Sequence, residues 1–477
     1  MRQLWWMTAL FWWAIGCAGD KAGSNETGAP AGSDDSSGDD GGSGDDGGPG
    51  DDGGSGDDGG SGDEGGDDGG TDDGGDDGGT EVDPCAPLPE PTGTIIDVTP
   101  DDVSTLRSTI SGADPGTTIR FAAGTYNLDG QYLWVDVEGI SLRGATGDPA
   151  DVILDGGYVT TQMVSVKASN VTVADLTLRR AYTHAVHVNP ADTTIENTVI
   201  HNVVVEDPGQ QGIKVNQSGT AYADNGVIRC SDIRLTDTGR PQIRDNCYTG
   251  GIDAHRTRGW HVHDNHISGF WCDVGLSEHG IHFWQYNADT HIERNTIVNC
   301  ARGIGLGLLG EASSTPREFE DTSCDDVTDF VEDVDGVIVN NTVLADDPDL
   351  FASGFGFDSG VALASACGAT VVHNTVYSTS APFSSIEWRY AGTQNSLVGN
   401  NLVSHPMRPR DAEVTLAGNI ETATSADFED AAGHDLHLAA SSSAVDAGAD
   451  LEDASPGTDI DQDARDDGAP DVGADER

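Results

Sequence analysis

Two short phrases of alternating apolar residues recur through the middle of this chain, and they constrain its fold more than any other feature. The first phrase opens with Gly-Ile or a close equivalent, as in Gly251–His255 and Gly280–Trp284. The second sets a polar residue between two apolar ones, as in Val262–Ile267 and Ile292–Ile297. Alternation with period two is typical of strands that bury one side. Recurrence of two strand phrases at intervals of roughly 20 to 50 residues indicates a solenoid.

The polar position of the second phrase predicts a column of residues stacked at one turn of successive coils. Its expected members are Ala174, Thr198, Ser231, Asn265, Asn295, Asn341, Asn374 and Asn400. Small or amide side chains stacked in this way can hydrogen-bond the backbone of the next coil, which suits parallel coils without hairpins. We therefore predict an all-β fold, a right-handed parallel β-helix, over residues 91–430.

A helix should cap the open end of this solenoid, because an uncovered coil would expose unpaired strand edges. Residues 101–111 have helical spacing, begin with aspartate and are followed by Gly112. The next segment, Gly116–Tyr126, resembles the opening of pectate-lyase-like β-helices, in which a short amphipathic helix plugs the end before the first coil.

The last part of the chain, residues 431–477, resembles the C-terminal segment called choice-of-anchor Q that follows bacterial β-helices. The matching residues are Leu436–Leu438, Ser443–Gly448, Asp459–Arg465 and Asp471–Glu476. Within it, Asp459, Asp461 and Asp463 have the alternating spacing of a calcium loop, but glycine and glutamate are missing from the sixth and twelfth positions of an EF-hand. Calcium is the cofactor that this segment suggests, and a solvated acidic turn is the alternative.

The start of the chain predicts export. Arg2 precedes the apolar run Leu4–Gly16, which is too short to cross a bilayer as a stable helix. The segment Ala14–Cys17 resembles a bacterial lipobox, so residues 1–17 are expected to be a lipoprotein signal with Cys17 as the lipidated residue. This resemblance implies anchoring at the bacterial outer membrane or cell surface through the lipid alone. Plain secretion or a periplasmic location is the alternative.

Charge narrows the choice of partners. The chain has 82 acidic and 23 basic residues, a formal net charge of −59, and residues 18–90 form a Gly/Asp/Ser-rich stretch that predicts a disordered tether. Such a charge opposes nucleic acid and anionic membrane surfaces. It also handicaps a polyanionic substrate unless the site is locally basic or binds a metal. We expect a monomer without nucleic acid.

Cysteines in an exported chain predict disulfide bonds. Of the eight cysteines, Cys17 belongs to the lipobox. The expected pairs among the rest are Cys230–Cys247, Cys272–Cys300 and Cys324–Cys367, which leaves Cys85 over. Metal binding is the alternative, although the chain contains no CxxC motif.

Within the first phrase the third and fifth residues should point outward, while the apolar residues fill the core. Coils stacked about 4.8 Å apart then form two outward columns. The first column runs Ser165, His187, Lys214, Asp253, His282, Gly305, Ala362, Glu387. The second runs Lys167, Asn189, Asn216, His255, Trp284, Gly307, Ala364, Arg389. Solvated strand faces usually carry Thr, Ser, Lys and Glu, so this mixture of His, Asp, Lys and Trp predicts a functional site.

The resemblance to pectate-lyase-like β-helices implies a polysaccharide bound along the outward strand face. It favours β-elimination on a uronic-acid-containing glycan, in which a base removes the proton beside a uronate carboxylate. The predicted catalytic residues are Lys214, Asp253, His255 and His282. Lys214, His255 or His282 would be the base, and Asp253 would orient a histidine or hold Ca²⁺. The predicted substrate-binding residues are Asn216, Glu278, His279, Trp284, Arg302 and Arg389. Hydrolysis would need two carboxylic acids flanking one bond, and Asp253 has at best Glu278 nearby.

Two other functions fit the same residues. A zinc or other transition-metal site could be built from His255, His282, His279 and Asp253. Alternatively, the protein could be a non-catalytic surface adhesin or glycan-binding lipoprotein, with the histidines as neutral surface residues and Trp284 packed under a loop. In either the catalytic or the binding case, the expected partner is a polysaccharide or a cell-surface glycan.

Overall fold

The computed structural model describes residues 83–312, 316–320, 322–465 and 468–477. The predicted signal segment, Cys17 and nearly all of the predicted tether lie outside these ranges. Among the described helices, none is both long and apolar enough to cross a membrane.

Each coil contributes one strand to a ten-stranded parallel sheet, which we call the site sheet. Its strands neighbour one another in the order in which they occur along the chain. They are Leu133–Val135, Gln162–Val166, His184–Val188, Gln211–Val215, Gly250–His255, Ile281–Trp284, Arg302–Leu306, Ser359–Ala364, Ser384–Arg389 and Arg408–Pro409.

A second sheet of twenty strands, the ladder sheet, forms the opposite wall, with two strands from most coils. Its strands are Ile95–Val98, Thr118–Phe121, Gly124–Asn127, Ser141–Gly144, Val152–Asp155, Thr172–Arg179, Val199–Glu206, Val227–Arg229, Asp232–Arg234, His261–His263, His266–Ser268, His291–Glu293, Thr296–Val298, Val337–Val339, Thr342–Ala345, Thr370–Val372, Thr375–Ser378, Leu397–Gly399, Leu402–Val403 and Thr415–Ala417. All pairings within both sheets are parallel, which is the arrangement that the recurring phrases predict.

The remaining elements are short. Two small parallel sheets comprise Ile195–Glu196 with Ala223–Asp224, and Asn287–Ala288 with Asp333–Val334 and Ala366–Cys367. An antiparallel hairpin pairs Phe428–Asp430 with Asp435–Leu438. The α-helices are Val103–Ser111 and Pro348–Ala352, and the 3₁₀ turns are Pro100–Asp102, Pro149–Asp151, Arg240–Gln242, Ser425–Asp427, Ala431–Gly433 and Glu452–Ala454.

Alternate residues of each strand fill the interior between the sheets. Ile213, Ile252 and Ile281 occupy equivalent positions on successive site-sheet strands, and each is fully buried. The helix Val103–Ser111 buries Leu106 and Ile110 and packs against the first site-sheet strand, as predicted for a cap. The predicted all-β parallel β-helix with an N-terminal capping helix is therefore confirmed.

An asparagine ladder runs along the bend between the paired strands of the ladder sheet. From Asn295 onward each side-chain oxygen accepts the backbone and side-chain N–H groups of the previous rung. The amides of Asn265, Asn295, Asn341 and Asn374 also donate to two backbone carbonyls each, and those of Asn401 and Asn419 to one. Its asparagine rungs are Asn265, Asn295, Asn341, Asn374, Asn401 and Asn419. Ser231 precedes them, since its N–H donates to Asn265 and its hydroxyl accepts from Val203.

Three predicted rungs are wrong. The rung is Asn401 and not Asn400, which occupies the preceding left-handed bend position with φ 50° and bonds to His373 and Ala449. Asparagine is favoured at both positions, because it tolerates φ above zero. Ala174 pairs in register with His201 inside a continuous strand, and Thr198 lies before such a strand. Both strands contain the same left-handed bend, at Asp175 (φ 61°) and Asn202 (φ 50°), and the positions that follow it hold the apolar residues Leu176 and Val203.

Two of the three predicted disulfides are also wrong. The bonds are Cys85–Cys230, Cys247–Cys272 and Cys324–Cys367, so one predicted pair is confirmed. Cys300 is a free, buried thiol whose pKa is raised to about 12 by burial. Cys272 follows its ladder asparagine by seven residues and lies in a loop, whereas Cys300 follows by five and is still inside the coil. Cys230 lies in a ladder bend that faces Pro84 and Cys85, and Cys247 and Cys272 are brought together by two loops.

Candidate functional site

The two outward columns have the register that the sequence predicts. Strand pairing places Ser165 beside His187, His187 beside Lys214, Lys214 beside Asp253 and Asp253 beside His282. The first column continues through Gly305 and Ala362 to Glu387. In the second column His255 pairs with Trp284, and Ala364 with Arg389. The predicted catalytic residues thus lie on one side of one sheet.

These side chains are not on an open face, however. Lys214 is 4% exposed, Asp253 0%, His255 8%, His282 0% and Trp284 3%. Loops that leave the site sheet between coils fold back over the columns and cover them. The sequence gives the loop lengths but not their paths, so the expected open groove is replaced by a covered polar layer.

Asp253 is the centre of this layer. Its Oδ2 lies 2.5 Å from Lys214 Nζ and accepts from the Tyr248 hydroxyl at 3.3 Å. Its Oδ1 accepts from Trp284 Nε1 at 2.8 Å and lies 3.1 Å from His255 Nε2. Burial alone would raise the pKa of the Asp253 carboxyl, but Lys214 and His255 outweigh it and hold that pKa well below its ordinary value. The carboxylate is therefore ionised, and its charge is balanced by the neighbouring ammonium group.

His255 has polar neighbours at both ring nitrogens. Its Nε2 lies 3.1 Å from Asp253 Oδ1 and 3.0 Å from Lys214 Nζ, and its Nδ1 lies 3.4 Å from Asn216 Nδ2, a donor that favours a lone pair on Nδ1. The Asn216 side-chain oxygen in turn accepts from His187 Nε2 at 3.1 Å. Burial, with the Lys214 charge, lowers the pKa of His255, so the ring is neutral at pH 7. An imidazole that donates from Nε2 keeps its lone pair on Nδ1, which makes Nδ1 the atom able to accept a proton.

The histidines at the start of the layer give a test of its pH dependence. His184 Nδ1 donates to the Gln211 carbonyl oxygen at 3.3 Å, and burial, with His187 and Lys214 nearby, lowers the pKa of His184 to about 3. An unfolded histidine has a pKa of about 6.5, so the unfolded chain takes up the proton first as pH falls. The stability linked to a neutral His184 is thus complete above pH ~6.5 and is lost towards pH ~3, at about 1.4 kcal/mol per pH unit.

We therefore expect the stability difference between the wild type and His184→Gln to shrink by about 2 kcal/mol between pH 6.5 and pH 5. Urea unfolding of both proteins at pH 7, 6 and 5 measures this difference. Parallel pH profiles for the two proteins would show that His184 is not buried in its neutral form.

The predicted substrate-binding residues are tied to other protein groups. Glu278 and His279 lie in the loop that leads into Ile281–Trp284, and Glu278 Oε2 is 3.1 Å from His282 Nδ1. Arg302 lies 3.2 Å from Asp358, and Arg389 donates to the Leu308 carbonyl oxygen at 3.0 Å. All of them lie in or beside the columns, and their assignment to a substrate-binding site stays a prediction.

Two residues of the layer were not anticipated. Tyr248 contributes a hydroxyl group to the Lys214–Asp253 pair from a loop. Glu332, also from a loop, accepts the backbone N–H groups of Gln285, Leu308 and Leu309 and holds that end of the cover in place. Glu332 is distant in sequence from the segments that it contacts, whereas Tyr248 lies just before the strand Gly250–His255. No repeat signal marks either residue.

Two aspartates of the suggested calcium loop, Asp459 and Asp461, have protein partners. Asp459 accepts the backbone N–H groups of Asp461, Asp463 and Glu476, which closes a turn around its carboxylate. Asp461 faces His437 Nε2 at 2.7 Å. A calcium ion held by all three aspartates would require these hydrogen bonds to break, so the geometry does not fit the predicted loop.

Two cavities lie away from the columns. One of about 270 Å³ is lined by C-terminal residues including His437 and Asp475, and one of about 440 Å³ lies near Pro87–Pro91 and Arg143. Column residues do not line either cavity, so both cavities are separate from the polar layer on the site sheet.

Comparison with known proteins agrees with this architecture. The family described as "Right handed beta helix region" matches residues 162–318. The crystal structure of pectate lyase Pel9A is similar over 81% of this chain and 97% of its own, with 15% identity and a TM-score of 0.55. This likeness shows the fold, a right-handed parallel β-helix. A search of curated proteins gave no match.

Two further solved structures have lower TM-scores. The catalytic unit of a GH87 alpha-1,3-glucanase from Streptomyces thermodiastaticus strain HF3-3 has 16% identity over 71% of this chain and 65% of its own, with a TM-score of 0.46. PfbA, a surface adhesin of Streptococcus pneumoniae, has 11% identity over 68% of this chain and 89% of its own, with a TM-score of 0.36.

Proposed function

We propose that this protein acts on polysaccharide and that its covered layer supports β-elimination on a uronic-acid-containing glycan. The observation that carries the proposal is the in-register grouping of Lys214, Asp253, His255 and Trp284, with His255 neutral and oriented by Asp253. The substrate class comes from the comparison, since the similar structure Pel9A is a pectate lyase.

The proposed base is Nδ1 of His255. It takes the proton beside the uronate carboxylate, the C–H electrons form a carbon–carbon double bond, and the glycosidic C–O bond breaks towards the leaving oxygen. Asp253 keeps the opposite nitrogen protonated and stabilises the imidazolium that forms. Lys214 balances the Asp253 charge, so that the buried carboxylate does not repel the uronate.

The substrate would approach from Asn216. This residue is partly exposed, and its amide lies 3.4 Å from His255 Nδ1, a long contact that a substrate can replace. Trp284 is buried and donates to Asp253, so it acts in this proposal as a support for the carboxylate and not as the sugar platform predicted from the sequence.

The test is the ultraviolet absorbance of unsaturated uronates during incubation with pectate, alginate and glycosaminoglycans, with and without Ca²⁺. We expect a rise with at least one of these glycans. His255→Ala should reduce kcat by about 10²–10⁴-fold, the usual contribution of a general base. His261→Ala, which changes a ladder-sheet histidine outside both columns, is the matched control. An unchanged rate in His255→Ala would remove the assignment of the base.

A non-catalytic glycan-binding protein is the second candidate, and one observation favours it. Trp134 lies beside Ser165 at the N-terminal end of the first column, with Lys167 Nζ 4.9 Å and the Arg107 guanidinium 5.7 Å from its ring. Trp134 is partly exposed, and a tryptophan flanked by cations suits an acidic sugar. Glycan binding that Trp134→Ala weakens, without any absorbance rise in the wild type, would favour this function over elimination.

Cellular placement is a separate proposal. The lipobox-like segment before Cys17 supports lipid anchoring at the bacterial surface. The wild type should then appear in the membrane fraction, and Cys17→Ala should appear in a soluble fraction. Equal partition of both proteins would rule out an anchor at Cys17.

A further inference from the structure

Three potential metal ligands converge at the edge of the covered layer. Glu278, His279 and His282 each offer one ligand atom, and these atoms lie within 4.8 Å of one another. The three residues belong to one short segment that enters the strand Ile281–Trp284. Because His282 is a column residue, the strand register fixes the position of the group.

The ligand atoms are buried and lack protein partners. His279 is 3% exposed and His282 0%. Among the described residues, neither ring nitrogen of His279 has a hydrogen-bond partner, and the same holds for His282 Nδ1 and Glu278 Oε2. These last two atoms face each other at 3.1 Å, but without hydrogen-bond geometry. A buried polar atom without a partner costs about 1–3 kcal/mol, so four such atoms in one place require an explanation.

The tautomer of His282 suits a ligand. Its Nε2 lies 3.2 Å from the Gly307 carbonyl oxygen, to which it donates. Nδ1 therefore carries the lone pair and faces Glu278 and His279. Metal-bound histidines commonly donate their other ring N–H to a carbonyl or carboxylate in this way. His279, the second histidine, packs against the column at Gly305. A Cβ atom there would lie 2.7 Å from the His279 ring, so glycine at this position leaves room for the ring.

We propose that Glu278, His279 and His282 bind a divalent transition-metal ion of the zinc class, with the remaining coordination position open to water or a ligand. Two imidazole nitrogens and one carboxylate oxygen suit zinc and its neighbours. Calcium and magnesium prefer oxygen ligands alone. A tetrahedral ion with bonds of about 2.0–2.1 Å separates its ligands by about 3.4 Å, and the Glu278–His282 distance of 3.1 Å is close to this value.

The surrounding charges allow a divalent ion. The Arg302 charge acts on Glu278 and, with Arg389, on His279, and Arg302 is paired with Asp358 at 3.2 Å. The Glu278 carboxylate would offset one of the two charges of the ion. His282 pairs in register with Asp253, so the metal site adjoins the Lys214–Asp253 ion pair. The metal-site proposal does not depend on the proposed elimination.

Two other groups of three such residues occur in the described chain, and each is better satisfied internally. In His261–His291–Glu293, the carboxylate lies 2.8 Å from His261 Nε2 and 3.3 Å from His291 Nε2; His291 Nε2 is buried without a hydrogen bond, but all three residues are partly exposed. In His437–Asp461–Asp475, Asp461 accepts from His437 and Asp475 accepts from the Leu438 backbone N–H. Of these three groups, only the Glu278 group has a buried ligand atom without a hydrogen-bond partner on every residue.

The test uses the tag-free full chain, stripped with a chelator and then loaded with Co²⁺ or Zn²⁺ in excess Mg²⁺, which occupies surface carboxylates. We expect about one equivalent of metal to remain after gel filtration, with a visible Co²⁺ spectrum typical of a low-coordinate nitrogen-ligated ion. Glu278→Gln and His279→Gln should each weaken binding at least about 10-fold. His261→Gln, from a satisfied group, should bind like the wild type.

Circular dichroism and the Tm of each variant separate loss of a ligand from loss of the fold. Glu278 is the safer replacement because it is partly exposed, and Zn²⁺ should raise the Tm of the wild type but not of Glu278→Gln. Substoichiometric metal in the wild type, or undiminished binding in folded Glu278→Gln and His279→Gln, would overturn the proposal. No glycan is present in this experiment, so its outcome is independent of the proposed activity.

Discussion

Replacing Asn341 by alanine is expected to lower the free energy of unfolding by about 5 kcal/mol, at about 1 kcal/mol net for each hydrogen bond lost. The Asn341 amide donates to the Ile292 and Val339 carbonyls and to Asn374, and its oxygen accepts the backbone and side-chain N–H groups of Asn295. Asn341 is fully buried, so water cannot replace these partners. Chemical denaturation followed by circular dichroism measures the change.

Asn419→Ala is the matched control. Asn419 is the last rung of the same ladder and is only partly buried, so water can satisfy the Asn401 amide that it leaves. We expect a loss of about 1 kcal/mol. Equal losses at the two positions would mean that the ladder contributes through local contacts and that burial of its middle rungs is unimportant.

Replacing Lys214 by methionine is expected to lower the free energy of unfolding by about 3–5 kcal/mol, because the Asp253 carboxylate would remain buried without its cation. The remaining partners of Asp253 are the neutral groups of Tyr248, Trp284 and His255. His255 can compensate by taking up a proton, since the Lys214 charge contributes to lowering its pKa. The deficit of Lys214→Met should therefore be smaller at pH 5 than at pH 8.

Two comparisons make this result interpretable. Adding Asp253→Asn to Lys214→Met removes the stranded charge and should recover a large part of the loss. Arg258→Met breaks an ion pair with Asp289 in which both side chains are more than 40% exposed, so it should change stability by about 0–1 kcal/mol. If Lys214→Met were as mild as Arg258→Met, the covered layer would be open to water.

The register of the columns could be predicted from the sequence because side-chain alternation fixes it. Once Ile252 and Ile281 are assigned to the core, Asp253 and His282 must lie beside each other on the outer side. Shifting the strand register by one residue would place Asp253 in the interior in place of isoleucine. This register is excluded because burying a charge in an apolar core is too costly. Lys214, His255 and Trp284 follow from the same argument.

The cover over these residues could not be predicted, because it depends on loop paths. Tyr248 reaches Asp253 from a loop that a disulfide at Cys247 fastens to Cys272. Seven cysteines follow Cys17, and the sequence does not reveal which loops contact each other. Spacing from the ladder residues was the only guide to pairing, and it suggested Cys272–Cys300. The convergence of Glu278 and His279 on His282 was unpredictable for the same reason. The three residues are close in sequence, but the path of the loop decides where the ring and carboxylate atoms point.

The bond between Cys85 and Cys230 has a mechanical consequence. Cys85 precedes the capping helix and the first coils, whereas Cys230 lies in the bend between Val227–Arg229 and Asp232–Arg234, 145 residues further along the chain. Tension applied to the chain ahead of Cys85 therefore enters the stack at Cys230 through a covalent link. The cap and the coils before that bend are spared the load, and pulling from the N-terminal side would not peel them away one by one.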